Sequence, residues 1–154
     1  DDGTGEAADI VAIRTCDEGA ALSIVVDFYH CKFSLEDFAG ARIDDLYQVC
    51  GQAQKSVHWM TSPEKKTDLF THLLRREAKR TDAGEPTRFE RGTADELDEL
   101  REMSRLRSVA LRVFIVQPGL SKAAASKDQL ELLSVTETYL METYQIPFGV
   151  IASA

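Results

Sequence analysis

The residues best suited to chemistry gather in one short stretch, Ile24-Val25-Val26-Asp27-Phe28-Tyr29-His30-Cys31-Lys32-Phe33. Its apolar first half reads as a buried strand, and its second half puts a His, a Cys and a Lys where such a strand normally keeps Val and Ile. Successive strand residues point to opposite faces, so Ile24, Val26, Phe28, His30 and Lys32 share one face while Asp27, Tyr29 and Cys31 share the other. His30 and Lys32 are therefore expected side by side. Lys is rarely buried without a partner, so a Lys closing a central strand should meet a carboxylate, a metal-bound water or a phosphate.

The elements around this stretch supply a first carboxylate. Asp9-Ile10-Val11-Ala12-Ile13-Arg14-Thr15 is rich in β-branched residues and is followed by a polar break at Asp17-Glu18-Gly19. We read a strand, a turn, and a long strand from about Leu22 to Phe33. In that hairpin Asp9 and Lys32 belong to the same end, because the first strand begins where the second finishes.

Beyond a loop containing Gly40, residues Ile43 to Trp59 carry apolar side chains at helical spacing, with Asp44 and Asp45 favouring the first turn. Gln54 falls inside that stripe and is expected to face the sheet. Ser62-Pro63-Glu64 starts a second helix, which ends in Arg75, Arg76, Lys79 and Arg80. These cations complement a helix C-terminus and also form a candidate phosphate-binding patch. A loop over 81–92 follows, and Thr93 with Glu96 makes a capping box for an acidic helix to about Leu106. Residues 62–106 thus look like a helical insertion.

Val109 to Val116 is apolar almost throughout and stops at Gln117-Pro118-Gly119, as expected of a central strand covered on both faces. Ser126 and Gln129 box the start of a helix to about Tyr144, and a last strand follows Pro147. The final strand–helix–strand implies parallel pairing and the opening hairpin antiparallel pairing. The expectation is an α/β fold with a mixed central sheet flanked by helices.

With 154 residues and 44% hydrophobic content the chain suits one domain. It has no run of eighteen apolar residues, so neither a transmembrane span nor membrane partnership is expected. Because it begins at Asp1-Asp2-Gly3 rather than Met, a fragment or processed piece of a larger protein is expected. Cys16, Cys31 and Cys50 lack CxxC spacing and suit a reducing, cytoplasmic compartment better than a disulfide scaffold or a zinc site. A net charge of −8 argues against a surface that grips nucleic acid everywhere, while leaving room for a local basic groove.

An Asp on one hairpin strand, a polar-x-Lys closing the next, then a helix and a parallel βαβ unit, resembles the PD-(D/E)xK nuclease superfamily. The words Tyr29-His30-Cys31-Lys32 and Cys50-Gly51-Gln52-Ala53-Gln54-Lys55-Ser56 are also similar to C-terminal nuclease-like domains of bacterial helicases in phage defence. The resemblance implies a restriction-endonuclease-like fold that cleaves DNA with Mg²⁺ or Mn²⁺. It makes Asp9 the first metal-binding acid and Lys32 the residue that orients or activates the attacking water. Gln54 would correspond to the glutamine of the RecB-like branch, although the tyrosine expected after it is absent.

The sequence departs from the pattern at the second acid, where His30 stands. An imidazole can ligate a metal, but Mg²⁺ prefers oxygen, which moves the preference toward Mn²⁺ or leaves the site crippled. Asp27 and Glu6 are the nearest replacement carboxylates, Asp27 only if a bulge turns it to the same face. A rival reading is a catalytically inactive nuclease fold serving as an interaction module in a helicase or defence assembly. A Cys31–His30 thiol enzyme is set aside, since neighbouring strand residues face opposite ways. His58, His72 and Trp59 read as ordinary packing residues.

Overall fold

The computed structural model describes residues 6–18, 21–34 and 38–154. Its elements follow the expected order: β1 (Ile10–Glu18), β2 (Ala21–Cys31), α1 (Asp44–Lys55), α2 (Pro63–Asp82), α3 (Ala94–Met103), β3 (Val109–Ser121), α4 (Lys127–Thr138) and β4 (Phe148–Ser153). The strands form one open sheet in the order β1-β2-β3-β4, with β1 antiparallel to β2. Ile24 N–H donates to the Ser108 carbonyl and Lys32 N–H to that of Val116, equal steps in one direction, so β2 and β3 are parallel. β3 and β4 are parallel in turn, with Val113 opposite Phe148. The fold is α/β with a mixed sheet.

Packing divides the chain into two compact units. The first comprises Asp1–Arg14, Val25–Val57 and Ala110–Ala154, and the second Thr15–Ile24 and His58–Val109. Within the first, Val26 and Phe28 of β2, Leu111, Val113 and Ile115 of β3, and Leu46, Val49, Cys50 and Ala53 of α1 are buried. Complete burial of a side chain such as Phe28 stabilises the fold by about 1.5–3 kcal/mol. The second unit contains residues 62–106, where α2 and α3 pack together and bury Leu69, Phe70 and Leu97.

Helix starts follow local chemistry. Ser62, Thr93 and Ser126 each accept a bond from the backbone N–H three residues on, and Ser126 with Gln129 completes a reciprocal capping box. At Thr93 the return bond differs from the expected box, because Glu96 Oε2 accepts from the Thr93 hydroxyl rather than from its backbone. The expected helix to Trp59 ends at Lys55 and tightens into a 3₁₀ turn over Ser56–Met60.

Two expectations about β3 are corrected. Only one of its faces is buried throughout; on the other, Arg112, Phe114 and Val116 are half-buried and Ala110 and Pro118 exposed. On that face Tyr29 stacks on Phe114 at 5.0 Å, and the Arg112 guanidinium lies 5.4 Å from the Phe114 centroid. Gly149 admits the ring, since a Cβ there would come within 2.5 Å of Phe114. Nor does β3 stop at Pro118. It continues to Ser121 through a register slip against β4 between Gln117 and Ser121, and a slip is where a strand tolerates a residue without an N–H.

Candidate functional site

The open end of the β1–β2 hairpin brings together Asp9, His30 and Cys31, all within the first unit. Asp9 precedes β1, and its Oδ2 accepts a 2.7 Å bond from the backbone N–H of Cys31, the last residue of β2. The carboxylate is otherwise exposed. One strong charge-assisted bond therefore fixes it while leaving lone pairs directed to solvent.

His30 lies on the buried face with only 5% of its surface accessible, and its Nε2 is 2.8 Å from Ser56 Oγ. Burial pushes the imidazole pKa below its ordinary value of 6.5, and the Asp9 charge offsets part of that fall. The ring is thus neutral at pH 7, the form that can ligate a cation. The change from α-helix to 3₁₀ turn at Ser56 places the hydroxyl that holds it.

Lys32 follows on the same face and is half-buried. It shares the hairpin end with Asp9, yet among the described residues no ion pair joins the two within 4 Å. Among the described residues no carboxylate pairs with its ammonium. Cys31 points to the opposite face, and burial followed by the Asp9 charge pushes its thiol pKa up. It is not a thiolate nucleophile.

The other sequence candidates lie elsewhere. Glu6 is exposed ahead of Asp9. Asp27 is buried on the far face, where Arg112 Nε and Nη2 donate at 2.6 and 2.7 Å and Arg14 Nη1 at 2.6 Å. No bulge turns it toward His30. Gln54, expected against the sheet, instead donates through Nε2 to Thr136 Oγ1 of α4 at 3.2 Å, because α1 packs on α4 along that edge of its stripe.

The basic residues ending α2 belong to the second unit. Arg75 and Lys79 are exposed and Arg76 is half-buried. Arg80 holds the following loop, donating to the Pro86 carbonyl and pairing with Glu85 at 2.8 Å. Trp59 packs between the rings of His58 and His72 at 5.0 and 5.1 Å.

One residue of the site was not singled out from sequence. In a parallel ladder the Lys32 N–H bond to the Val116 carbonyl sets Lys32 beside Gln117. Gln117 is 2% exposed; its Oε1 accepts from Gly119 N–H at 2.8 Å, and its Nε2 has no partner among the described residues. It lines a crevice at the carboxyl ends of β2 and β3 together with Ser34, Gly40, Arg42, Asp45 and Gln129. The only signal in the sequence was a polar residue ending an apolar strand before Pro-Gly.

Among the described residues no group of three or more His, Cys, Asp or Glu converges on a common point. An ion at the hairpin would have one carboxylate and one imidazole from the protein, the rest coming from water and substrate oxygens. That donor set fits a loosely held, substrate-completed Mn²⁺ better than Mg²⁺. Compared with known proteins, the chain matches no family model, no curated protein and no solved structure. Among the described residues no helix is long and apolar enough to cross a membrane.

Proposed function

We propose that this chain is a metal-dependent nuclease domain of restriction-endonuclease-like type that hydrolyses DNA phosphodiester bonds, working in the cytoplasm with a helicase or other phage-defence subunit. The observation that supports it is the hairpin end, where a solvent-facing carboxylate clamped on the Cys31 amide acts on a neutral imidazole, with the half-buried Lys32 next along the chain from Cys31. The three free cysteines fit a reducing compartment.

Asp9 and His30 would hold the divalent ion. Bound there, it supplies charge stabilisation for the transferring phosphoryl group and lowers the pKa of a water. Ser56 fixes the ring of His30, so that the imidazole meets its ligand without reorienting. Lys32, with no carboxylate competing for it among the described residues, neutralises a phosphate oxygen and orients the attacking water. Gln54 has no part in this step, since its amide is engaged on Thr136.

A second reading, an inactive nuclease fold acting as an interaction module, is favoured because among the described residues no third candidate ligand joins Asp9 and His30. Plasmid cleavage with Mg²⁺ and with Mn²⁺ separates the two. The nuclease reading expects nicking, stronger in Mn²⁺, that disappears in Asp9→Ala and Lys32→Ala while circular dichroism stays unchanged. Activity that survives both substitutions removes the site. No cleavage with either ion, together with stable capture of a partner chain, leaves the interaction module standing.

A further inference from the structure

The crevice beside Lys32 combines two features. Its wall holds Gln117, whose amide is oriented from one side only: Gly119 N–H clamps Oε1, and the NH₂ group remains a buried donor without an acceptor among the described residues. Such a donor is destabilising unless something supplies an oxygen. The free volume is about 10 Å³, room for one oxygen-sized group.

The local backbone keeps the crevice open. A Cβ on Gly119 would lie 2.8 Å from Ser34 Oγ and 3.1 Å from Gln117 Oε1, so glycine alone lets the chain pass close enough to clamp the amide. Gln129 Nε2 ties the Gly40 and Arg42 carbonyls at 2.7 and 3.0 Å, fixing the opposite rim. Arg42 pairs with Asp45 at 2.7 Å on the crevice wall, and the strand register sets Lys32, a second cation, beside Gln117. A rigid amide donor with a lysine at the paired position of the neighbouring strand, at the carboxyl end of parallel strands, is suited to an oxyanion.

We propose that Gln117 binds a non-bridging oxygen of a nucleic-acid phosphodiester, with Lys32 beside it neutralising the same phosphate. The identity of the ligand as a phosphodiester rests on the nuclease reading; the donor geometry does not. Gln117 acts as a substrate-binding residue, and no proton moves through it.

The test is nuclear magnetic resonance of the side-chain NH₂ of Gln117, assigned by its loss in Gln117→Leu, during titration with a short DNA duplex without divalent ions and, separately, with inorganic phosphate. The expected result is a saturable shift of that pair with DNA, and roughly tenfold weaker DNA binding in both Gln117→Leu and Lys32→Ala. The backbone amide spectrum of each variant checks that it is folded. A shift with phosphate alone shows a free-anion site and overturns the nucleic-acid assignment. An NH₂ pair that stays still while DNA binds, or that contacts only water, overturns the proposal, as does absence of DNA binding by the wild-type chain. A shift and an affinity loss without cleavage in any metal sinks the nuclease reading and leaves this binding site intact.

Discussion

Asp9 and Asp27 are carried by the same hairpin and show how differently one fold can use a carboxylate. Asp27 is 3% exposed and receives three charge-assisted bonds from Arg14 and Arg112. Burial raises its pKa, and the hydrogen bonds and charges of Arg112 and Arg14 outweigh that, leaving the carboxyl below its ordinary value of 3.8. Asp9 has one backbone donor and faces water. The Asp27 carboxylate is saturated and belongs to the architecture; that of Asp9 keeps coordination capacity. Two acids that look equivalent in the sequence separate once the alternation of β2 and the positions of the arginines are known.

The contrast is broken most forcefully at the open hairpin end. On the nuclease proposal, Lys32→Ala and Asp9→Ala are each expected to lower Mn²⁺-dependent plasmid cleavage at least a hundredfold. Equal loss in a well-folded Asp27→Ala protein would erase the distinction. On the other face, Asp27→Ala should cost about 2–3 kcal/mol in urea unfolding, a figure held down because both guanidiniums are partly exposed and can rehydrate. Gly149→Ala forces the Phe114 ring aside and is expected to lower stability by about 1–2 kcal/mol, read from the same unfolding curves.

A finer test uses pH. The folded pKa of His30 is depressed, so the unfolded chain binds its proton more readily. Its contribution to stability is full above 6.5 and is lost as pH falls from there toward the folded value. His30→Gln should flatten that part of the stability profile, and an unchanged slope would refute burial as the cause. Smallest is the effect of Asp9→Ala on stability, expected within about 0.5 kcal/mol.

The elements themselves were legible because their signals are local. Ser62, Thr93 and Ser126 announce their helices, and the β-branched runs announce the strands. The pairing of His30 with Lys32 on one face followed from alternation alone. What the sequence hid depended on partners distant along the chain. The run Val109–Val116 suggested two covered faces, whereas Tyr29, Arg112 and Gly149 let Phe114 lie on a partly open one. Gln54 sits where a helical wheel puts it, but which neighbour that stripe meets is set by α4. Gln117 drew no notice because its role depends on sitting beside Lys32, a matter of register between strands that no periodicity encodes.

That register has a price in time. Arg112 reaches Asp27 across 85 residues of sequence, and Lys32 meets Gln117 over a comparable span. Closing so long a loop before any pairing is gained slows folding. On a ribosome the hairpin emerges on the order of ten seconds before β3. Through that interval β2 has an unpaired edge and its Val and Phe side chains lie bare, so the nascent chain is exposed to aggregation at the very strand that later carries His30 and leads into Lys32.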